Sequence, residues 1–180
     1  MVQPKLPVTF PIKMGILLGV LYCLFIFIEN KVFSNDTILF AASKTLGFII
    51  ILAGFFYTAF TVKKNEGGYI TFQECLRALL VVIAVTELFY VIFNLVYVKY
   101  IDPNFFNHLK ESTRAFLEKA NLPKEDIANR MKAFEGSGNV TFWSIVQSYG
   151  FAIIIDAIFA VVIASILKKN PPITESQIIN

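Results

Sequence analysis

Residues 71–98 read TFQECLRALLVVIAVTELFYVIFNLVYV. The first four form a helix start: the Thr71 hydroxyl can accept from the backbone amide of Glu74 while the Glu74 carboxylate reaches back, a capping box. Behind it, about Leu76 to Val98 is an apolar run with Arg77 near its start, Glu87 at its centre and Asn94 seven residues further on. A membrane-spanning helix needs roughly 20 such residues. The stretch therefore predicts a transmembrane helix over 76–98 that carries an acid at the bilayer midplane.

The composition agrees. Of 180 residues 56% are hydrophobic and 16% charged, against roughly 45–50% and about 25% in an average soluble domain. That balance excludes a water-soluble globule and a disordered chain. A net charge of +3, with basic residues spread over every loop, is too mild and too dispersed for a nucleic-acid surface.

Three more crossings flank the first. One spans about 38–62, interrupted by Lys44, and stops at Lys63-Lys64-Asn65-Glu66 with Gly67-Gly68 as the turn. Another spans about 12–28, entered at Lys13 and left at Glu29-Asn30-Lys31. Its uninterrupted core, Met14 to Ile28, is short enough to resemble a secretory signal. No small-x-small cleavage site follows it, so a retained helix is expected. The last spans about 140–167, carries Asp156, and ends at Lys168-Lys169-Asn170-Pro171-Pro172, where the prolines forbid continuation.

Between the third and fourth crossings, residues 99–139 carry seven basic and six acidic residues. Asp102-Pro103 starts a helix with Phe105, Leu109, Phe116 and Leu117 at helical spacing, and Asn121-Leu122-Pro123 breaks it. Lys124-Glu125-Asp126 opens a second helix with Ile127, Met131 and Phe134 at i, i+4 and i+7, and Gly136-Ser137-Gly138 ends it. The chain thus reads as one membrane domain over 1–180: an all-α integral membrane bundle of four transmembrane helices, with an amphipathic helical hairpin between helices 3 and 4. The apolar face of Phe105, Leu109, Phe116, Ile127, Met131 and Phe134 is a candidate docking surface, or equally a passive cap on the headgroups.

Orientation follows from the basic residues near the helix ends. Lys5, Lys13, Lys63, Lys64, Arg77, Lys168 and Lys169 fall on the side of the termini. The positive-inside rule therefore puts both termini in the cytoplasm and the hairpin outside. Trp143 at one helix start, and Tyr97 with Tyr100 at another's end, mark an interfacial aromatic belt on the hairpin side.

The candidate site is an intramembrane polar network of Glu87, Asp156, Lys44 and Asn94. Ionisable groups at the midplane cost roughly 2.5–3.5 kcal/mol on insertion scales and tend to face the bundle interior. A lysine stem at position 44 is long enough to approach either carboxylate. Three readings compete: a charge network that fixes helix packing, carriers of protons or ions in a small transporter, or acids that meet a polar residue of a partner membrane protein. Gly15 and Gly19, Ser43 and Gly47, and Ala160 and Ala164 mark where helices can approach closely.

Enzymatic motifs are missing: the chain has no Gly-rich phosphate loop, no HExxH and no GxSxG. Cys23 and Cys75 lack metal-ligand spacing, and the single histidine, His108, sits among polar residues on a solvated helix face. No catalytic, metal or cofactor site is expected. The residues instead suggest a non-enzymatic accessory or scaffold subunit of the cell envelope, with a proton-coupled transporter acting as an oligomer through Glu87 and Asp156 as the alternative.

Gly67-Gly68-Tyr69-Ile70-Thr71-Phe72, Ile101-Asp102-Pro103-Asn104-Phe105 and Leu122-Pro123-Lys124-Glu125-Asp126-Ile127 resemble a Bacteroidetes membrane family, the one catalogued as domain of unknown function 4199. The resemblance runs from the first crossing to Lys169. It implies four helices and a bacterial inner-membrane home, and brings no catalytic residues. It also points to a partner, a family 2 glycosyltransferase acting on a polyprenyl phosphate, encoded near members of the family.

Overall fold

A computed structural model describes residues 9–134 and 141–171. Among these, six α-helices follow one another: α1 (Thr9–Val32), α2 (Thr37–Asn65), α3 (Phe72–Val96), α4 (Phe105–Lys119), α5 (Lys124–Met131) and α6 (Phe142–Leu167). Helices α1, α2, α3 and α6 are long and apolar enough to cross a membrane. The turn expected at Gly136-Ser137-Gly138, and the expected start of the last crossing at Val140, lie outside the described residues.

Local chemistry closes the ends of the crossings. The Asp36 carboxylate accepts from the amides of Ile38 and Leu39 and caps α2. Thr71 and Glu74 make the expected capping box on α3, and Thr141 makes one with Ser144 on α6. Gly67 and Gly68 turn the chain between α2 and α3 with φ of 73° and 86°, a region that favours glycine. At the same end of the molecule, Ile70 and Lys169 exchange two backbone hydrogen bonds of 2.9 Å, tying that turn to the end of α6. At the opposite end α3 widens into a π-helical turn, Tyr97–Ile101, and the chain enters the hairpin of α4 and α5.

Helix α3 is the hub, packed along α1 on one side and α6 on the other. The small residues of α1 make the first contact possible. A Cβ on Gly15 would stand 2.7 Å from that of Val85, and one on Gly19 2.8 Å from that of Phe89. Thr86 Oγ1 donates to the Gly15 carbonyl across the same seam. Ala160 and Ala164 of α6 are fully buried in the core they share with Leu79, Val82 and Ile83 of α3 and Ile51 and Phe55 of α2. The outer faces are apolar and bare, with Leu24 58%, Ile49 56% and Ile158 61% exposed. Such a surface is stable against lipid and not against water, and this is a membrane protein.

The two ends of the bundle differ. The apolar core occupies the end away from the hairpin, from Leu18 of α1 through Phe55 and Ala59 of α2 to Leu167 of α6. Towards the hairpin the interior turns polar, with Glu29, Asn30, Ser43, Glu87 and Asp156 all buried.

Candidate functional site: the polar interior of the bundle

Glu29 lies in the last turns of α1 and is 1% exposed. The sequence placed it outside the membrane as a flank of the first crossing; the helix instead runs on to Val32 and carries it inward. It can be buried because α2 completes it. Ser43 Oγ donates to Glu29 Oε1 at 2.8 Å, and Lys44 Nζ to Glu29 Oε2 at 3.0 Å. Gly47, one turn beyond Ser43, lets α2 approach Phe25 and Tyr22 of α1 closely enough for these bonds to form.

This corrects the expected network. Lys44 does not neutralise Glu87 or Asp156; its ammonium serves Glu29 and lies 5.0 Å from the centre of the Phe40 ring. Asn94 likewise turns to its own helix, Nδ2 donating to the Tyr90 carbonyl at 2.9 Å.

Glu87 of α3 and Asp156 of α6 do come together. Each is 5% exposed, and their carboxyl groups lie within hydrogen-bonding reach across the α3–α6 seam. Among the described residues no donor group reaches Glu87 Oε2. Two carboxyl groups hydrogen-bond only when one carries the proton. Tyr149 Oη of α6 donates to the Ala84 carbonyl of α3 at 3.0 Å on the same seam. Tyr22 and Tyr90, their rings stacked with centres 5.5 Å apart, stand near both Glu29 and Glu87.

The hairpin is closed upon itself and upon the bundle. Ile127 and Met131 of α5 pack on Leu117 of α4, with Leu122 and Phe134 alongside. Phe105 instead points down into the bundle against Tyr97 and Phe40, at ring-centre distances of 5.5 and 6.2 Å. Ser112 Oγ donates to the Ser34 carbonyl in the α1–α2 loop. The face of Phe105, Leu109, Phe116, Ile127, Met131 and Phe134, read as a candidate docking surface or a passive cap, is divided between two internal contacts, and of these residues only Phe116 is exposed, at 38%. The aromatic belt is also partly corrected. Tyr97 is fully buried, its Oη unpartnered, among Phe27, Phe93 and Phe105, whereas Tyr100 and Trp143 face outward.

Beneath α4 lies a cavity of about 430 Å³, bordered by Asn30, Phe40, Lys44, Tyr90, Asn94, Phe105, Leu109, Ser144 and Ser148 among others. Glu87 and Asp156 do not border it.

Residues 13–169 match the family described as protein of unknown function DUF4199. The chain belongs to this family. No curated protein and no solved structure matches the chain. Membership thus brings no assigned site, and the interior has to be read from its own geometry. Among the described residues no group of three or more His, Cys, Asp or Glu side chains is arranged to hold a metal ion. His108 is half exposed, its Nδ1 4.0 Å from Asp102 Oδ2 at the foot of α4.

Sequence reasoning missed Glu29, Asn30, Tyr22 and Tyr90. A signal for the first was present. Gly15, Leu18, Ile26 and Glu29 fall on one face of α1 at helical spacing, so the inward stripe of that helix runs straight into the acid.

Proposed function

We propose that the chain is a non-enzymatic accessory or scaffold subunit of a bacterial inner membrane, working in the cell envelope with both termini in the cytoplasm. The observation that carries this reading is the Glu87–Asp156 pair, closed in the seam between α3 and α6 with each residue 5% exposed. A carboxyl pair so placed joins two helices by a hydrogen bond that lipid cannot compete for. The cavity beneath α4 stops at Tyr90 and Asn94, short of both acids. A partner for such a scaffold is another membrane protein, with a polyprenyl-phosphate glycosyltransferase the first to test, and it would sit against the broad apolar flanks rather than the hairpin, whose faces are occupied.

The test is purification of the tagged full chain from its native membrane in mild detergent, identifying what co-elutes. A stoichiometric membrane partner is expected. A homo-oligomer with nothing else bound would contradict the scaffold reading. It would favour the second one, a proton-coupled transporter, for which Glu87 Oε2, without a hydrogen-bond partner among the described residues, is the supporting observation.

A further inference from the structure

The cavity beneath α4 has the construction of a ligand site. Its volume of about 430 Å³ lies within the roughly 300–1,000 Å³ of small-molecule pockets. Phe105 and Leu109 of the amphipathic helix roof it, and Tyr90 and Asn94 of α3 form its back wall. Both α2 and α6 border it. Those helices touch through Phe48 and Phe159, ring centres 5.2 Å apart, and every residue that they lend to the cavity lies on the hairpin side of that contact. Ser148 of α6 is both a cavity residue and exposed on the flank of a helix apolar enough to span a membrane, which offers the cavity an outlet toward lipid.

Depth places the cavity at the level of lipid headgroups and the upper acyl chains. Ser148 is five residues beyond Trp143, about 7.5 Å along the axis at 1.5 Å per residue. Lys44, eight residues beyond the Asp36 cap, lies about 12 Å in and is 40% exposed.

Two features define the head that fits. Lys44 retains donors after its bond to Glu29, but its charge is already balanced by that carboxylate. An occupant with net charge would therefore unbalance the site, whereas a zwitterion would not. Asn30 borders the cavity at 3% exposure, and its Oδ1 has no hydrogen-bond partner among the described residues. A buried amide oxygen left unpaired costs about 1–3 kcal/mol, and a turn of the Asn30 amide toward the cavity would let an occupant's N–H group satisfy it. We propose that the cavity binds a phospholipid with a phosphoethanolamine head, its phosphate on Lys44, its ammonium on Asn30 and its chains leaving between α2 and α6. The inference does not depend on what the carboxyl pair does.

Native mass spectrometry of the full chain in detergent, with equal amounts of dioleoyl lipids bearing phosphoethanolamine, phosphocholine or phosphoglycerol heads, tests it. Phosphocholine has no N–H donor, and phosphoglycerol is a net anion. The ethanolamine lipid should be retained at least about tenfold better than either, a difference of about 1.4 kcal/mol. Asn30→Leu should bring it down to the phosphocholine level, and Ser148→Phe, at the mouth, should reduce its retention while the protein elutes as wild type does. Equal retention of the three lipids by the wild-type chain overturns the proposal whatever the variants do. So does a preference for phosphoglycerol, which would show Lys44 acting as an unbalanced cation, or an ethanolamine preference that survives in both folded variants.

Discussion

Lys44 Nζ stands 3.0 Å from Glu29 Oε2, so this lysine of the second crossing neutralises an acid of the first and leaves Glu87 and Asp156 of the third and fourth crossings to each other. The polar interior is thereby divided in two. The ion pair joins α1 to α2 near the hairpin, and Glu87 and Asp156 face each other between α3 and α6 deeper in the bundle.

Breaking the ion pair from one side should cost more than removing it whole. Lys44→Met leaves Glu29 buried without its cation, whereas Lys44→Met with Glu29→Gln leaves two neutral groups. The single variant should lose between the ~1 kcal/mol of an exposed pair and the 3–5 kcal/mol of a buried one, because Lys44 is partly exposed. Thermal unfolding in detergent should show the double variant recovering most of that loss.

Glycines of the α1–α3 seam should be far less replaceable than the glycine of α6. Gly15→Val drives a side chain into Val85 and the Val82 carbonyl and should cost about 1–3 kcal/mol by overpacking. Gly150→Ala meets nothing within 4 Å and should be neutral or stabilising, since alanine is the better helix former. The same unfolding assay separates them.

The hairpin should loosen without the bundle. Ile127→Ala removes a contact that only α4 and its flanks share and should cost about 2–4 kcal/mol within the hairpin. Hydrogen exchange should rise across 124–131 while α3 and α6 keep their protection. Phe105→Ala should instead raise exchange around Tyr97, whose ring it covers.

How much of this was legible can be judged residue by residue. The four crossings were, because a run such as 76–98 can satisfy its backbone in lipid only as a helix. The capping box of Thr71 and Glu74 was legible from four letters. The partner of Lys44 was not. Glu29 follows an apolar run of only 15 residues and looks like its polar exit, and only Ser43 and Gly47 of the next helix make its burial affordable. The hairpin's two helices were legible, but not which way their faces turn. Along α4 the neighbour changes from the bundle at Phe105 to α5 at Leu117, so one periodic stripe serves two surfaces and Phe116 falls outside both. The π-helical turn that buries Tyr97 left no mark in the sequence.

The central claim is that the carboxyl pair is a closed clamp and not a path for ions. Cysteine placed singly at 87, at 156 or at 110, in a chain with Cys23 and Cys75 replaced by alanine, can be challenged with a membrane-impermeant, water-soluble thiol reagent in intact vesicles of either orientation. A clamp predicts that neither 87 nor 156 reacts from either side, while position 110, exposed on α4 of the hairpin, gives the rate of a water-exposed site from the side it faces. Reaction at 87 or 156 at a rate near that of 110 would mean water reaches the pair, and the scaffold reading would give way to transport.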